Sequence, residues 1–158
     1  MEDELLSELS GILSRKLFAA FPEWRKYAEI VDADYDINRK SLYLKIPSPA
    51  DERHSLSILE RGDCIEVGFS DGNPMTAAES QIICERNNDS LCVEAAIEFV
   101  EKIINEEILI GHKRASWLSG NKLLSFINRA EANKKKFARI YSWRGNFNNS
   151  ISQLKFYS

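Results

Sequence analysis

The 158-residue chain contains no GxGxxG, no GxxxxGK, no GxSxG and no HExxH, and only seven glycines in all. Those patterns build the backbone cradle for phosphates, the nucleophile elbow and the zinc-binding helix. Nucleotide, serine-hydrolase and metalloprotease chemistry therefore has no motif to stand on, and no cofactor is expected. Histidine is nearly absent too: His54 and His112 are the only two, and neither has a second His or Cys three to five residues on. That spacing argues against a zinc site. Cys64, Cys84 and Cys92 are odd in number and lack CxxC spacing, so reduced, mostly buried thiols are expected rather than a disulfide framework or a zinc ribbon. The longest apolar runs, such as "ILI" at 108–110, are far too short to span a bilayer. The first residues, "MEDELLSELSG", carry acids where a secretory signal carries Lys or Arg, with no apolar segment behind them. A soluble cytoplasmic protein with no membrane partner is expected.

What is present is ordinary in amount and uneven in placement. Hydrophobic residues at 44% and charged residues at 28% match globular usage, and the length suits a single globular domain over 1–158 with its own core. The net charge of -3 conceals a split. Residues 1–110 hold 23 acids against 11 Lys and Arg, a net of -12, whereas residues 111–158 hold one acid against 10, a net of +9. Such asymmetry speaks to partners and solubility rather than to fold. Either the two parts neutralise each other or an acidic face awaits a basic protein.

Periodicity supplies the elements. Leu5, Leu6, Leu9, Ile12, Leu13 and Leu17 recur at three- and four-residue spacing, predicting a helix over 2–20 that Pro22 stops, with a short extra turn through "EWRKYA". From 29 to 69 the period becomes two. Leu42, Leu44 and Ile46 alternate as a sheet with one wet face requires, and "NRK" before them reads as a hairpin turn. Leu56 and Ile58, then "ERGD", then Ile65, Val67 and Phe69 read as a second hairpin. "SDGNP" is strong turn chemistry, and Thr76 with Glu79 forms a capping box for a helix near 77–85, although "QIICE" is equally readable as a strand. Leu91, Ala95, Ala96, Phe99, Val100, Ile103 and Ile104 line one face of a further helix, with Glu94, Glu98 and Glu101 facing out. "EEILIGHK" reads as a strand, 121–133 as a weaker helix, and "KKKFARIYSW" as a last strand. The fold class this predicts is α+β, a single antiparallel sheet with helices packed mainly on one face.

Few residues are positioned for chemistry or contact. Asp32, Asp34 and Asp36 in "DADYD" have the alternate spacing that opens an EF-hand loop, but Ile37 stands where Gly is needed and Tyr43 where Glu is needed. On a strand these acids share an exposed face, either a protected edge or an acidic contact surface. "DERH", Asp51 to His54, offers an imidazole near a carboxylate in an apparently exposed loop, the arrangement a general base requires. "NKKKFARIYSWRGNF" mixes bases and aromatics as single-strand nucleic-acid binders do, yet an acidic body repels a polyanion. No nucleic-acid partner is expected. Phe137, Tyr141 and Trp143 share strand parity, and two of the three are expected in the core. The contact candidates are Asp32, Asp34, Asp36, Asp51, Glu52, Trp143 and Arg144, since Trp and Arg are the types most frequent at hot spots.

The stretch "AAIEFVEKIINEEILIGHKR", followed after a short insertion by "RIYSWRGNFN", resembles the later part of some bacterial immunity proteins. These are small cytoplasmic proteins that neutralise a toxin domain in contact-dependent growth inhibition and related polymorphic toxin systems. The resemblance covers about residues 95–148 and carries over a role but no toxin-binding positions. It implies a non-enzymatic inhibitor, an antitoxin, that binds one cognate protein toxin and occludes its active site, in many cases that of a nuclease. Acidic charge suits a basic partner. Two alternatives remain open: an acidic secretion chaperone holding an effector segment, and an enzyme of unrecognised type using His54 or His112.

Overall fold

The computed structural model of the chain describes residues 11–33, 36–61, 64–73, 76–77, 79–84, 90–113, 122–132 and 137–148. The elements run α1 (Ile12–Ala20), a 3-10 helix (Pro22–Tyr27), β1 (Ala28–Ala33), β2 (Asp36–Pro47), β3 (Ser55–Arg61), β4 (Cys64–Ser70), β5 (Thr76–Ala77), β6 (Glu79–Cys84), α2 (Ser90–Ile104), β7 (Ile108–Lys113), β8 (Lys122–Asn128), a 3-10 turn (Arg129–Glu131) and β9 (Phe137–Tyr141). The class is α+β, but the expected single sheet is two: a five-stranded sheet in the order β1-β2-β3-β4-β6 and a four-stranded sheet in the order β5-β8-β7-β9. The chain groups into two compact units. Unit 1 comprises Met1–Ile46, Leu56–Gly68 and Ser80–Phe99, and unit 2 comprises Pro47–Ser55, Phe69–Glu79 and Val100–Ser158.

In unit 1 the period-two reading holds. Leu42, Leu44, Leu56, Ile58, Ile65 and Val67 are all buried while Lys45 between them is exposed, and each such side chain contributes roughly 1.5–3 kcal/mol by leaving water. β1 and β2 pair antiparallel from Ala28↔Leu44 to Asp32↔Lys40. "NRK" is therefore not the turn: residues 38–40 continue β2, and the register shift lies at Ala33↔Asp36. α1 buries Leu13, Leu17 and Phe18, and Lys16 reaches Glu94 of α2 at 2.6 Å. The predicted helical residues 2–10 lie outside the described residues. On α2 the inward face within this unit is Cys92, Val93 and Ala96, with Phe99 half-buried. Leu91, expected inside, is 71% exposed, and Ala95 is exposed as well. Cys92 is disulfide-bonded, whereas Cys64 keeps its thiol, so the expectation of reduced thiols throughout is corrected. Sequence spacing reveals ring and finger motifs, whereas a disulfide needs only two Cβ atoms brought close by the fold.

Unit 2 is organised around β7, whose residues 108–112 are all buried. Leu109 joins Ala132, Phe137 and Ile140 on one side, with Ile127 and Phe147 against them. Ile110 joins Phe69 and Leu124 on the other, with Phe126 and Tyr141 against them. A strand apolar on both faces reads as a continuous hydrophobic run, which is why "KLLSFIN" satisfies helical spacing equally well. Residues 122–128 are in fact strand β8, antiparallel to β7, and 76–77 with 79–84 are strands rather than a capped helix. β5 pairs β8 in parallel over two residues, a further departure from a purely antiparallel arrangement. Phe137 and Trp143 are core residues and Tyr141 is half-buried, as two of three required. Among the described residues no helix is long and apolar enough to cross a membrane.

Gly111 allows β9 to approach β7, because a Cβ there would overlap the Phe137 ring. Gly111→Ala is expected to destabilise the protein by about 1–3 kcal/mol through overpacking, read as a lower urea midpoint. Adding Phe137→Ala to that variant should show favourable coupling in a double-mutant cycle; simple additivity would show that ring and glycine are independent.

Candidate functional site

Four of the seven contact candidates fall on two loops of unit 2 that the fold fastens together. Residues 47–54 carry Asp51 and Glu52, and residues 142–148 carry Trp143 and Arg144. Ser48 Oγ donates to the Trp143 carbonyl at 2.7 Å and is buried there. Gly145, at φ +80°, sits so close to Ala50 that a Cβ would meet the alanine methyl at 3.0 Å. A third turn closes on the same loops: Gly72, at φ +75°, lies with its Cα against the Arg53 carbonyl, 2.5 Å from where a Cβ would be. Both glycines occupy the left-handed region that side chains resist. The turn chemistry of "SDGN" and "WRGNF" thus does more than reverse the chain. It makes three loops into one rim, from which Glu52, Arg53, Asn73, Arg144, Asn146 and Asn148 are exposed.

The second loop hangs on one buried carboxylate. α2 ends in a Schellman motif, with Glu106 N–H donating to the Ile103 carbonyl at 3.1 Å and Glu107 N–H to the Lys102 carbonyl at 2.9 Å. That geometry puts Glu106 at φ 60°, a position where glycine is the usual occupant. A glutamate there costs about 1 kcal/mol in backbone strain. Its side chain offsets the strain. Only 4% exposed, Glu106 accepts at Oε1 from the Arg144 N–H at 2.8 Å and the Asn146 N–H at 3.4 Å, and at Oε2 from Asn146 Nδ2 at 2.7 Å. Burial alone raises a carboxyl pKa, but these donors and the Ser142 hydroxyl outweigh it, so the group lies below its ordinary value and stays ionised. Ser142 Oγ also accepts from the Phe147 N–H at 3.0 Å, and the Ser142 N–H donates to Asn148 Oδ1 at 2.7 Å.

The first loop is organised by Asp51. Its Oδ1 accepts from the Arg53 backbone N–H and from Nε, both at 3.0 Å, and its Oδ2 from Nη2 at 2.7 Å. These side-chain and then backbone bonds from Arg53 hold Asp51 well below the usual carboxylate range. His54, expected in an exposed loop, is 7% exposed. Its ring lies edge-on to Tyr141 at 4.5 Å and to Phe69 at 5.6 Å, with Nε2 3.8 Å from Asp51 Oδ2. Burial lowers its pKa; Asp51 and Asp71 pull the other way and Arg53 adds to the lowering. His112, also buried, stacks on the same Tyr141 ring, centroid to centroid 6.2 Å. The two histidines singled out as possible bases thus converge on one tyrosine ring inside unit 2.

The remaining candidates are elsewhere. Asp32 is exposed in unit 1 on the edge strand β1 and pairs with Lys40 across the hairpin, as edge protection requires. Asp34 lies outside the described residues, and of Asp36 the backbone alone is described, in β2. Trp143 is 5% exposed, its indole taken up by the protein's own interior, which leaves Arg144 as the outward member of that pair. Sequence reasoning missed Glu106 and Ser48. The one signal was an acid at 106 beyond the last periodic residue of a helix, where Gly or Asn is the usual choice. Among the described residues no group of three or more His, Cys, Asp or Glu is placed to hold a metal. No family model, no curated protein and no solved structure matches the chain.

Glu106→Ala removes the acceptor for three donors and is expected to cost about 2–4 kcal/mol. Glu106→Gly relieves the strained backbone and should recover about 1 kcal/mol of that loss. Because the folded pKa is depressed below 4.5, the stabilisation is complete above that pH and disappears as pH falls through the folded value. Glu106→Gln should therefore flatten this acid limb in urea titrations at successive pH values. An unchanged limb would assign the acid sensitivity to other carboxylates.

Proposed function

We propose that the chain is an immunity protein: it binds the catalytic domain of a cognate protein toxin, a basic nuclease in the simplest case, and neutralises it by covering the active site without transforming any substrate. The observation that carries this reading is the rim of unit 2, where loops far apart in sequence are fastened by the Ser48 hydroxyl on the Trp143 carbonyl and by the close approach of Gly145 to Ala50 and of Gly72 to Arg53, and present exposed charged and amide side chains. A surface already in its bound shape loses little conformational entropy on association. Charge supplies the rest. By sequence, unit 1 holds 16 acids against 9 Lys and Arg, a net of -7, and unit 2 holds 8 against 12, a net of +4, which together make the -3 of the whole. The field of unit 1 attracts a cationic partner, and the exposed Glu98 of α2, with the exposed Leu91 two turns earlier, belongs to that anionic surface. The rim offers both signs, Glu52 and Arg144, for register.

The reading implies action in the cytoplasm of the producing cell. The Cys92 disulfide argues the other way, since such bonds are uncommon there. The burial of His54 and His112 favours binding over proton-transfer chemistry, because a base must reach the proton it takes.

The test is co-expression with the toxin domain encoded beside this gene, scored by growth and by affinity of the purified pair. Rescue and a stable complex are expected. Glu52→Lys and Arg144→Glu should each weaken the complex about tenfold or more, that is about 1.4 kcal/mol or more, mainly by faster dissociation. Glu98→Lys should act on the association rate and its salt dependence. A neighbourhood without a toxin, or full protection by the rim variants, overturns the assignment.

A further inference from the structure

We propose that His54 is a proton-operated catch on the rim: when its imidazole takes up a proton it competes with Arg53 for Asp51 Oδ2, and the contest loosens the clamp that shapes residues 48–54. Arg53 holds that oxygen at 2.7 Å, while His54 Nε2 stands 3.8 Å away, too far for a hydrogen bond by the neutral ring but well within reach of a cation's pull. The His54 N–H donates to the Asp51 carbonyl and its own carbonyl accepts from the Ser48 N–H, both at 2.9 Å, which fixes the backbone from which the imidazole packs against Phe69 and Tyr141. A buried imidazolium needs a counter-charge, and the only carboxylate within ion-pair distance of it among the described residues is the one Arg53 already grips. Asp51 must then move toward the ring. Ser48, bonded through its backbone to His54 and through its hydroxyl to the Trp143 carbonyl, carries the change to the second loop.

The groups around the imidazole set the balance. Asp51 and, more distantly, Asp71 favour the proton, Arg53 and burial oppose it, and the Tyr141 face adds cation–π attraction once the ring is charged. His112 also stacks on that tyrosine and is the competing source of any titration sensed by Tyr141. The depressed pKa sets the sign: the closed clamp is complete above the ordinary 6.5 and opens as pH falls through the folded value. As regulation of partner contact the catch rests on the rim being the contact surface, but the catch itself belongs to the chain alone, so a partner-free experiment separates the two.

That experiment is a nuclear magnetic resonance titration of the full chain from about pH 8 to pH 5, following the His54 ring carbons and the Arg53 Nε–H. The Arg53 resonance is expected to move with the same midpoint as His54, below 6.5, and to be flat in His54→Gln. Asp51→Asn should shift the His54 midpoint further down and uncouple Arg53 from it. The proposal is overturned by an Arg53 signal that stays flat while His54 titrates, by one that still moves in His54→Gln, or by an imidazole that remains neutral to pH 5. If His54→Gln does not fold, agreement of the two midpoints in the unsubstituted chain decides the matter, and disagreement sinks it.

Discussion

A single carboxylate, that of Glu106, decides where the 142–148 loop of unit 2 lies. An ionised group 4% exposed survives only where donors replace the water it has lost, and here the donors are two backbone N–H groups and an amide from a loop some forty residues away. The dependence runs both ways. Without the loop the charge would be stranded; without the charge the turn from Arg144 to Asn146 would lose the acceptor that orients its N–H groups. The left-handed backbone at Glu106 completes the relation, because a glycine would end the helix more easily and leave nothing to hold the loop.

From that anchor the rest of the rim follows by close approach. With residues 142–148 held, Gly145 meets Ala50 and the Ser48 hydroxyl reaches the Trp143 carbonyl. Gly72 then packs on the Arg53 carbonyl, and Arg53 is itself spent on Asp51. The two glycine junctions leave no room for a larger side chain, so the loops have little freedom to rearrange one at a time. This is a rigid presentation of polar groups, different in kind from an apolar cleft that engulfs a small molecule.

How much of this was legible in the sequence depends on which signal each element carried. The half-buried strands of unit 1 declared themselves through Leu42, Leu44 and Ile46, since alternation has one structural meaning. β8 did not. Leu123, Leu124, Phe126 and Ile127 satisfy helix and two-faced strand alike, and only the presence of β7 beside them, buried on both sides, settles which. Turn residues were readable because Gly72 and Gly145 are required by backbone conformation, a local property. What the turns touch is not local. His54 looked exposed because its neighbours are Pro, Ser and charged residues, whereas its burial is set by Phe69 and Tyr141, distant in sequence. The Cys92 disulfide escaped for the same reason.

The charge split of the chain gains a different meaning once the units are known. Along the sequence it separates an acidic stretch from a basic tail, yet the rim draws on both: Asp51, Glu52 and Glu106 come from the acidic stretch and Arg144 from the basic one. Unit 2 is built from three separate segments, so charges that are far apart in sequence become neighbours in it. Its net charge of +4 by sequence is smaller than the +9 of the last 48 residues because it also takes in acids from earlier in the chain. For the proposed partner, long-range attraction, which depends on net charge, would fall to unit 1, and register, which depends on individual placed charges, to the rim. Steering asks only for exposed acids such as Glu98, but register does not tolerate loosely held loops. On that proposed reading, the difference is the physical reason for spending a buried carboxylate and two left-handed glycines on the rim.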